Sequence, residues 1–391
     1  MEQVALVLSG GGARGAYQAG VLSAVARICS KLRIEDPFQI YSGVSAGSIN
    51  VCMMTGQPGN FIDGVHRLVD LWSQLESDQV FYADLMALSR GGLQWMQELS
   101  LGGSKKETSL RSLLSTHPLN NLISELCDFS EIDRKIDSGK LRGVCVSAMD
   151  YHNVSTVNFF QAHPSVKVWQ KGMHQGVRTQ LATHHVMASS AIPLLFPPIK
   201  IGNDYYGDGC IRNQSPCGPG IYMGASRILA VGVRSSQSTI QSYQHQKSKK
   251  FPTVSTIANA LMNAVMMDGL ESDIHRMESI NKGYRLLSPS DRQKAGMKVV
   301  ENLWISPSVD FAELAAHRGG ELPRIIRYLL KGPGSLDESG EMLSYLLFTP
   351  TYCRQLIDIG YKDGMNKKDE IEDLLIVNAK GSVKHQRSGV A

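Results

Sequence analysis

Ser45 stands at the centre of Gly43-Val44-Ser45-Ala46-Gly47, a glycine-dense stretch Gly10-Gly11-Gly12-Ala13-Arg14-Gly15 precedes it, and an isolated Asp208-Gly209 lies far downstream. A G-x-S-x-G string suits a nucleophile on a tight strand-to-helix turn. A glycine run suits a row of backbone N–H donors for an oxyanion, and a lone carboxylate suits a base. No histidine motif accompanies them. Together these residue types could transfer or hydrolyse an acyl group through a covalent serine intermediate.

The elements that must position them can be read around each motif. Gln39-Ile40-Tyr41-Ser42 is a short, partly apolar run, and Ile49 to Met54 continues as a helix with apolar residues facing inward, so Ser45 falls at a strand-to-helix junction. Gly43 and Gly47 suit a sharp turn where strand and helix approach closely, and the helix start brings unpaired N–H groups to developing negative charge. Val4-Ala5-Leu6-Val7-Leu8 reads as a buried strand and Ala16 to Ile28 as a helix. The glycines between them form a nest for a phosphate or an oxyanion. Gly10, Gly12 and Gly15 also satisfy G-x-G-x-x-G, the fingerprint of a nucleotide-dependent Rossmann-type enzyme, with Glu35 or Asp36 as the ribose-binding acid. Against that alternative, Asp36 is followed by Pro37 and Phe38 ahead of the second strand, whereas the ribose-binding acid should end that strand.

A third block comprises Ala188-Ser189-Ser190-Ala191-Ile192-Pro193, Phe196-Pro197-Pro198 and Asp204-Tyr205-Tyr206-Gly207-Asp208-Gly209-Cys210, with Asn213 and Pro216 beyond. From about Val4 to about Val233 the chain resembles the bacterial patatin-like phospholipases. That family carries a glycine-rich oxyanion loop, a G-x-S-x-G nucleophile and a D-G-G or D-G-A aspartate in this order. The resemblance implies a three-layer α/β sandwich with a mostly parallel sheet and a Ser–Asp dyad. Ser45 matches the nucleophile, Asp208 the dyad aspartate, and Gly10, Gly11, Gly12, Arg14 and Gly15 the oxyanion loop. Ser9 replaces the aspartate of plant members, and Cys210 the usual small residue after Asp-Gly; neither change removes a catalytic group.

A carboxylate with a reference pKa near ~4 is a weak base in water, so Asp208 must be desolvated to activate Ser45, and the same apolar surroundings strengthen the backbone donors. Arg14 either braces the loop or contacts a substrate phosphate. A Ser-His-Asp triad in α/β-hydrolase order would need a histidine after the acid, and His245, His275, His317 and His385 are available. His184-His185 lies on a helix leading into the Ser-Ser-Ala-Ile-Pro loop, where adjacent histidines diverge and no third metal ligand is evident.

The 391 residues are 42% hydrophobic and 19% charged, enough for one large α/β core and an accessory region. A net charge of +4 without a long Lys/Arg run does not point to nucleic acid. Seven scattered cysteines read as reduced thiols, and a five-residue apolar start is no secretory signal, so a cytoplasmic location is expected, either free or peripheral at the membrane, with export by a route that needs no signal peptide as the alternative. The catalytic region is expected over 1–235, with a helical insertion at about 61–131 in which Trp72, Phe81, Tyr82, Met86, Leu93, Trp95 and Met96 form ordinary core, or else line an acyl groove or a lid. A mainly helical C-terminal region is expected over 251–391, with Leu303-Trp304-Ile305 as a short strand. Its stripes at Ile325, Ile326, Leu329 and Leu330, and at Leu343, Leu346 and Leu347, need a partner surface. Lys247, Lys249 and Lys250 beside Phe251 could dock on an anionic bilayer, each lysine contributing about 1 kcal/mol, or could belong to a solvated linker. The expected activity is hydrolysis of a lipid acyl ester, phospholipase A or lysophospholipase in type, without metal or organic cofactor. The alternative outside catalysis is a lipid-binding module on the same scaffold.

Overall fold

A computed structural model of the chain describes residues 2–82, 112–235, 269–323, 327 and 340–376. The first half begins with β1 (Val4–Leu8), α1 (Gly15–Leu32), β2 (Ile40–Val44), α2 (Ala46–Thr55), α3 (Phe61–Gln74), α4 (His117–Leu126) and α5 (Ser130–Asp137). Next come β3 (Gly143–Asp150), β4 (Ser155–Ala162), β5 (Trp169–Lys171), β6 (His174–Arg178), α6 (Thr183–Ser189), β7 (Ile199–Ile201), β8 (Asp204–Asp208), α7 (Gly218–Tyr222) and β9 (Arg227–Val231). The remainder holds α8 (Leu270–Arg285), α9 (Pro289–Lys294), β10 (Glu301–Ile305), α10 (Phe311–Ala316), α11 (Gly340–Leu346), α12 (Pro350–Asn366) and α13 (Lys368–Leu375).

These strands form one sheet in the order β10-β9-β1-β2-β3-β4-β6-β5, with β8 also paired to β3 and β7 to β8. From β10 to β3 all neighbours are parallel, while β3 pairs antiparallel with both β4 and β8. The uninterrupted apolar run of β1 follows from this central position, because a parallel strand covered on both faces has no wet side. Val4, Leu6 and Leu8 face the core shared with α1, α3 and α12. Ala5 and Val7 face a second core containing Cys217 and Met223 beside α7 and Leu270 and Ile274 of α8. Two cores on opposite faces of one sheet make the three-layer α/β sandwich.

The helix expected over residues 16–28 runs longer, to Leu32, and stops where Arg33 turns left-handed (φ 56°) and donates its N–H to the last carbonyls. The Leu303-Trp304-Ile305 strand forms as β10 and extends the parallel sheet beyond β9, so this C-terminal segment is part of the central layer. α12 lies against α1 closely enough that a Cβ on Gly20 would fall 2.0 Å from Ile357 O, and one on Gly360 2.2 Å from Tyr17 O. Leu343, Leu346 and Leu347 find their partner surface in the main core. Met86, Leu93, Trp95, Met96, His245, His385, the lysines at 247, 249 and 250, and the apolar stripe at 325, 326, 329 and 330 lie outside the described residues. Among the described residues no helix is long and apolar enough to cross a membrane.

Candidate active site

β2 and β8 approach the same edge of β3 from opposite directions. β2 runs parallel to β3 and ends with Val44 opposite Ser147, whereas β8 runs antiparallel and ends with Asp208 opposite Ala148. The two strand ends therefore meet head-on at adjacent register positions. Ser45 is the first residue past one end and Asp208 the last residue of the other. The Ser45 hydroxyl donates to Asp208 Oδ2 at 2.7 Å across 163 residues of sequence.

Ser45 has φ 51° and ψ −124°, a conformation that non-glycine residues avoid, between β2 and the first turn of α2. What over-determines it is visible locally. A Cβ on Gly43 would lie 2.3 Å from Gly47 O, and one on Gly47 2.3 Å from Leu8 O, so strand, turn and β1 are in backbone contact. The Ser45 N–H donates to the Ser189 hydroxyl (2.9 Å), which in turn donates to Ser147 O (2.6 Å). Ser48 Oγ donates to Ser45 O at 2.6 Å.

Asp208 is fully buried. Burial raises its pKa to about 6, against the opposing pull of hydrogen bonds from Ser45 and from the Cys210 N–H, the latter reaching Oδ1 at 2.9 Å. Its own N–H donates to Ala191 O (2.9 Å), so the Ser-Ser-Ala segment at the C-terminal end of α6 holds both Ser45 and Asp208.

The glycine loop passes over the same point. A Cβ on Gly10 would fall 2.2 Å from Cys210 Sγ and 2.8 Å from Ser45 Cβ, while Gly11 faces Val233 and Gly15 faces Trp72. Gly12 has φ 55°, and a Cβ there would lie 2.2 Å from Tyr345 O on α11. Arg14 is buried. Its guanidinium bonds Ser344 (Nε–Oγ 2.8 Å), pairs with Glu341 and lies 4.3 Å over the Tyr345 ring. Burial works against that charge, but Tyr345 and Glu341 outweigh it and hold the pKa above its usual value. These contacts tie the loop to α11. Asp36, the acid considered for a ribose, accepts the Phe61 N–H at 3.0 Å and so anchors the start of α3.

Beside Ser45 opens a narrow apolar pocket walled by Ile49, Leu71, Trp72, Leu119, Phe196 and Phe348, with about 30 Å³ of free space. Of the aromatic cluster read in the insertion, Trp72 stacks on Phe348 (6.3 Å between centroids), and Phe81 meets both Phe348 and Phe196 at 6.0 Å. Phe348 was not singled out from sequence; an aromatic residue in a leucine-rich stretch carries no signal that it will close a pocket built some 300 residues earlier. Gln18 and Asn50 were missed too. Both are fully buried, and they join Trp72 Nε1 (2.8 Å to Asn50 Oδ1) through Asn50–Gln18 (2.8 Å) to Ser9 O (2.8 Å), bracing the start of the glycine loop. The available signal was a polar residue on an otherwise apolar helix face.

Among the described histidines none bonds Asp208 or Ser45. His275 is exposed between Glu271 and Glu278, and His317 is exposed at the end of α10. His185 accepts the Ala182 N–H, packs its ring at a tilt against Phe159 (4.7 Å between centroids) and is driven by burial, then by His184, down to a pKa of about 4. A family model, Patatin-like phospholipase, matches residues 6–221. The chain belongs to the patatin-like phospholipase family. The matched span contains Ser45, Asp208 and the whole glycine loop, whereas Tyr345 and Phe348, which meet Gly12 and wall the pocket, lie beyond it. Among solved structures the patatin-like chain is similar to VipD from Legionella pneumophila (13% identity, 95% of this chain and 67% of VipD, TM-score 0.38). It is also similar to human GIVD cytosolic phospholipase A2 (12% identity, 96% of this chain and 60% of the human one, TM-score 0.39). No curated protein matches the chain in a sequence search.

Proposed function

We propose that this protein hydrolyses a carboxylic ester of a lipid, a phospholipid or lysophospholipid in the first instance, with Ser45 as nucleophile and Asp208 as its base. The observation that carries the reading is the 2.7 Å hydrogen bond from Ser45 to a fully buried Asp208. Asp208 takes the Ser45 proton as Oγ attacks the ester carbonyl. The resulting oxyanion faces the amides of the glycine loop around Gly10, Gly11 and Gly12. On collapse, Asp208 returns the proton to the departing alcohol. Water, activated by the same carboxylate, then releases the fatty acid and frees Ser45. Every step uses side chains and amides of this chain.

The apolar pocket is the acyl site in this reading. Its 30 Å³ is room for roughly one water, so an acyl chain enters only as wall side chains such as Phe348 move outward. Because the substrate resides in a bilayer, peripheral contact with a lipid surface accompanies the activity.

Two measurements test this. A fluorophosphonate probe should label Ser45 stoichiometrically, and a lipid-class screen with products identified by mass spectrometry should show fatty-acid release. A protein that binds lipid vesicles but takes no label and releases no fatty acid would be the non-catalytic module instead. The pH dependence follows from the base: only the carboxylate form can accept the proton, so kcat/KM should rise through about pH 6 and level off above it. The rate at pH 5 should be about tenfold below the plateau. A rate that peaks near pH 5 and falls by pH 7 would exclude Asp208 as the base.

A further inference from the structure

Ser190 lies between the two residues that pin the site, Ser189 holding the Ser45 N–H and Ala191 the Asp208 N–H. It is 6% exposed and lines the pocket with Ser45, yet its hydroxyl has no hydrogen-bond partner among the described residues. Its backbone is committed, with the N–H directed to Val186 O (3.1 Å) and the carbonyl accepting from Ile192 (3.0 Å). The other polar side chains of the wall are also committed: Trp72 Nε1 donates to Asn50, and Ser45 to Asp208. An orphaned buried hydroxyl costs about 1 to 3 kcal/mol, and such a group is retained where something that arrives later satisfies it.

We propose that Ser190 is a substrate-contacting residue whose hydroxyl donates a hydrogen bond to the leaving-group oxygen of the ester. The proposal rests on the ester-hydrolase reading above. The geometry points to this oxygen because the Ser189–Ala191 segment flanks Asp208, the group that returns a proton to the leaving alcohol, whereas the glycine loop reaches Ser45 from β1. Ser190 keeps its own proton throughout. The carbonyl–oxygen bond breaks, the electron pair goes to the leaving oxygen, and the proton taken from Ser45 passes to it from Asp208 while the Ser190 O–H stabilises the negative charge in transit. Assistance of this kind matters for a poor leaving group such as a glycerol alkoxide, and hardly at all for an activated phenolate.

The test compares an alkyl ester and a p-nitrophenyl ester of the same short acyl group on wild type and Ser190→Ala, read as kcat/KM so that only steps through acylation count. Thermal unfolding of both proteins is followed in parallel. The variant should lose about tenfold on the alkyl ester and less than twofold on the nitrophenyl ester. Its melting temperature should be unchanged or higher, because an unsatisfied group has been removed. A second buried hydroxyl without a partner, that of Thr156 on β4, provides the control. Thr156→Val should leave both rates unchanged.

Equal loss on the two esters overturns the leaving-group role. No loss on either overturns substrate contact altogether, and a lowered melting temperature shows that the hydroxyl is a structural bond. Wild type that cleaves neither ester and takes no fluorophosphonate removes the hydrolase reading itself, which is a different result from an active wild type with an unaltered ratio.

Discussion

Ser45→Ala and Asp208→Asn are each expected to lower kcat on a lipid ester by roughly 10⁴-fold or more, and the double variant to lose little beyond the worse of the two. The non-additivity follows from the shared proton: once the nucleophile is gone the base has nothing to activate, and the reverse holds. Asp208→Asn also makes a stability prediction of definite sign. Its folded pKa of about 6 lies above the ordinary carboxylate value of about 4. The protonated form is therefore the one the fold prefers. The stabilising contribution is complete below about pH 4 and lost as pH rises through about 6, leaving a buried charge at neutral pH. Removing that charge should raise stability at pH 7 by up to about 3 kcal/mol, with the difference from wild type closing below about pH 4. Steady-state kinetics with thermal unfolding at both pH values checks both halves. Near-normal turnover in Asp208→Asn, together with loss in His275 or His317 variants, would replace the dyad with a triad.

In the glycine loop, Gly12→Ala and Gly10→Ala should each reduce kcat by about 100- to 1000-fold with a much smaller change in KM, the size of effect seen when an oxyanion donor is lost. The causes differ. At Gly12 a methyl meets both a left-handed backbone and the fixed carbonyl of Tyr345, 2.2 Å away, so the loop must move. At Gly10 the nearest atoms are Cys210 Sγ and Ser45 Cβ, so the methyl displaces the nucleophile. Adding Cys210→Gly should recover part of the Gly10→Ala loss by clearing the closer contact, but only part, because Ser45 Cβ remains 2.8 Å off. Gly202→Ala serves as a control, since its φ is 64° but nothing lies within 4 Å of the added Cβ. It should cost about 1 kcal/mol of stability from strain alone and leave turnover intact. Full activity in both Gly10 and Gly12 variants, correctly folded, would mean the oxyanion donors lie elsewhere.

Much of the candidate site is legible in the sequence because it is local. The strain at Ser45, the glycines that permit it and the helix start that follows are all encoded within Gly43–Gly47, where the spacing of residue types itself specifies the turn. Buried strands read equally well: Val4–Leu8 and Leu303–Ile305 are apolar runs too short for helices. Arg14 shows the limit. From sequence it could brace the loop or meet a phosphate, and the structure directs it to Ser344, Glu341 and Tyr345, some 330 residues on.

What only tertiary structure decided is long-range register. Nothing in the composition of β8 says that it will run antiparallel along β3 and end opposite Ala148, where β2 leaves off at Ser147. That one-residue adjacency puts Asp208 within a hydrogen bond of Ser45, and it arises from side-chain packing summed over the whole sheet rather than from any motif. The pocket wall has the same origin. Phe348 walls the pocket that opens beside Ser45 and Tyr345 meets Gly12, both just ahead of α12, which is seated on α1 through backbone contacts at Gly20 and Gly360. A pairing of two helices that distant depends on the fit of their surfaces, and each sequence carries only its own half of that fit.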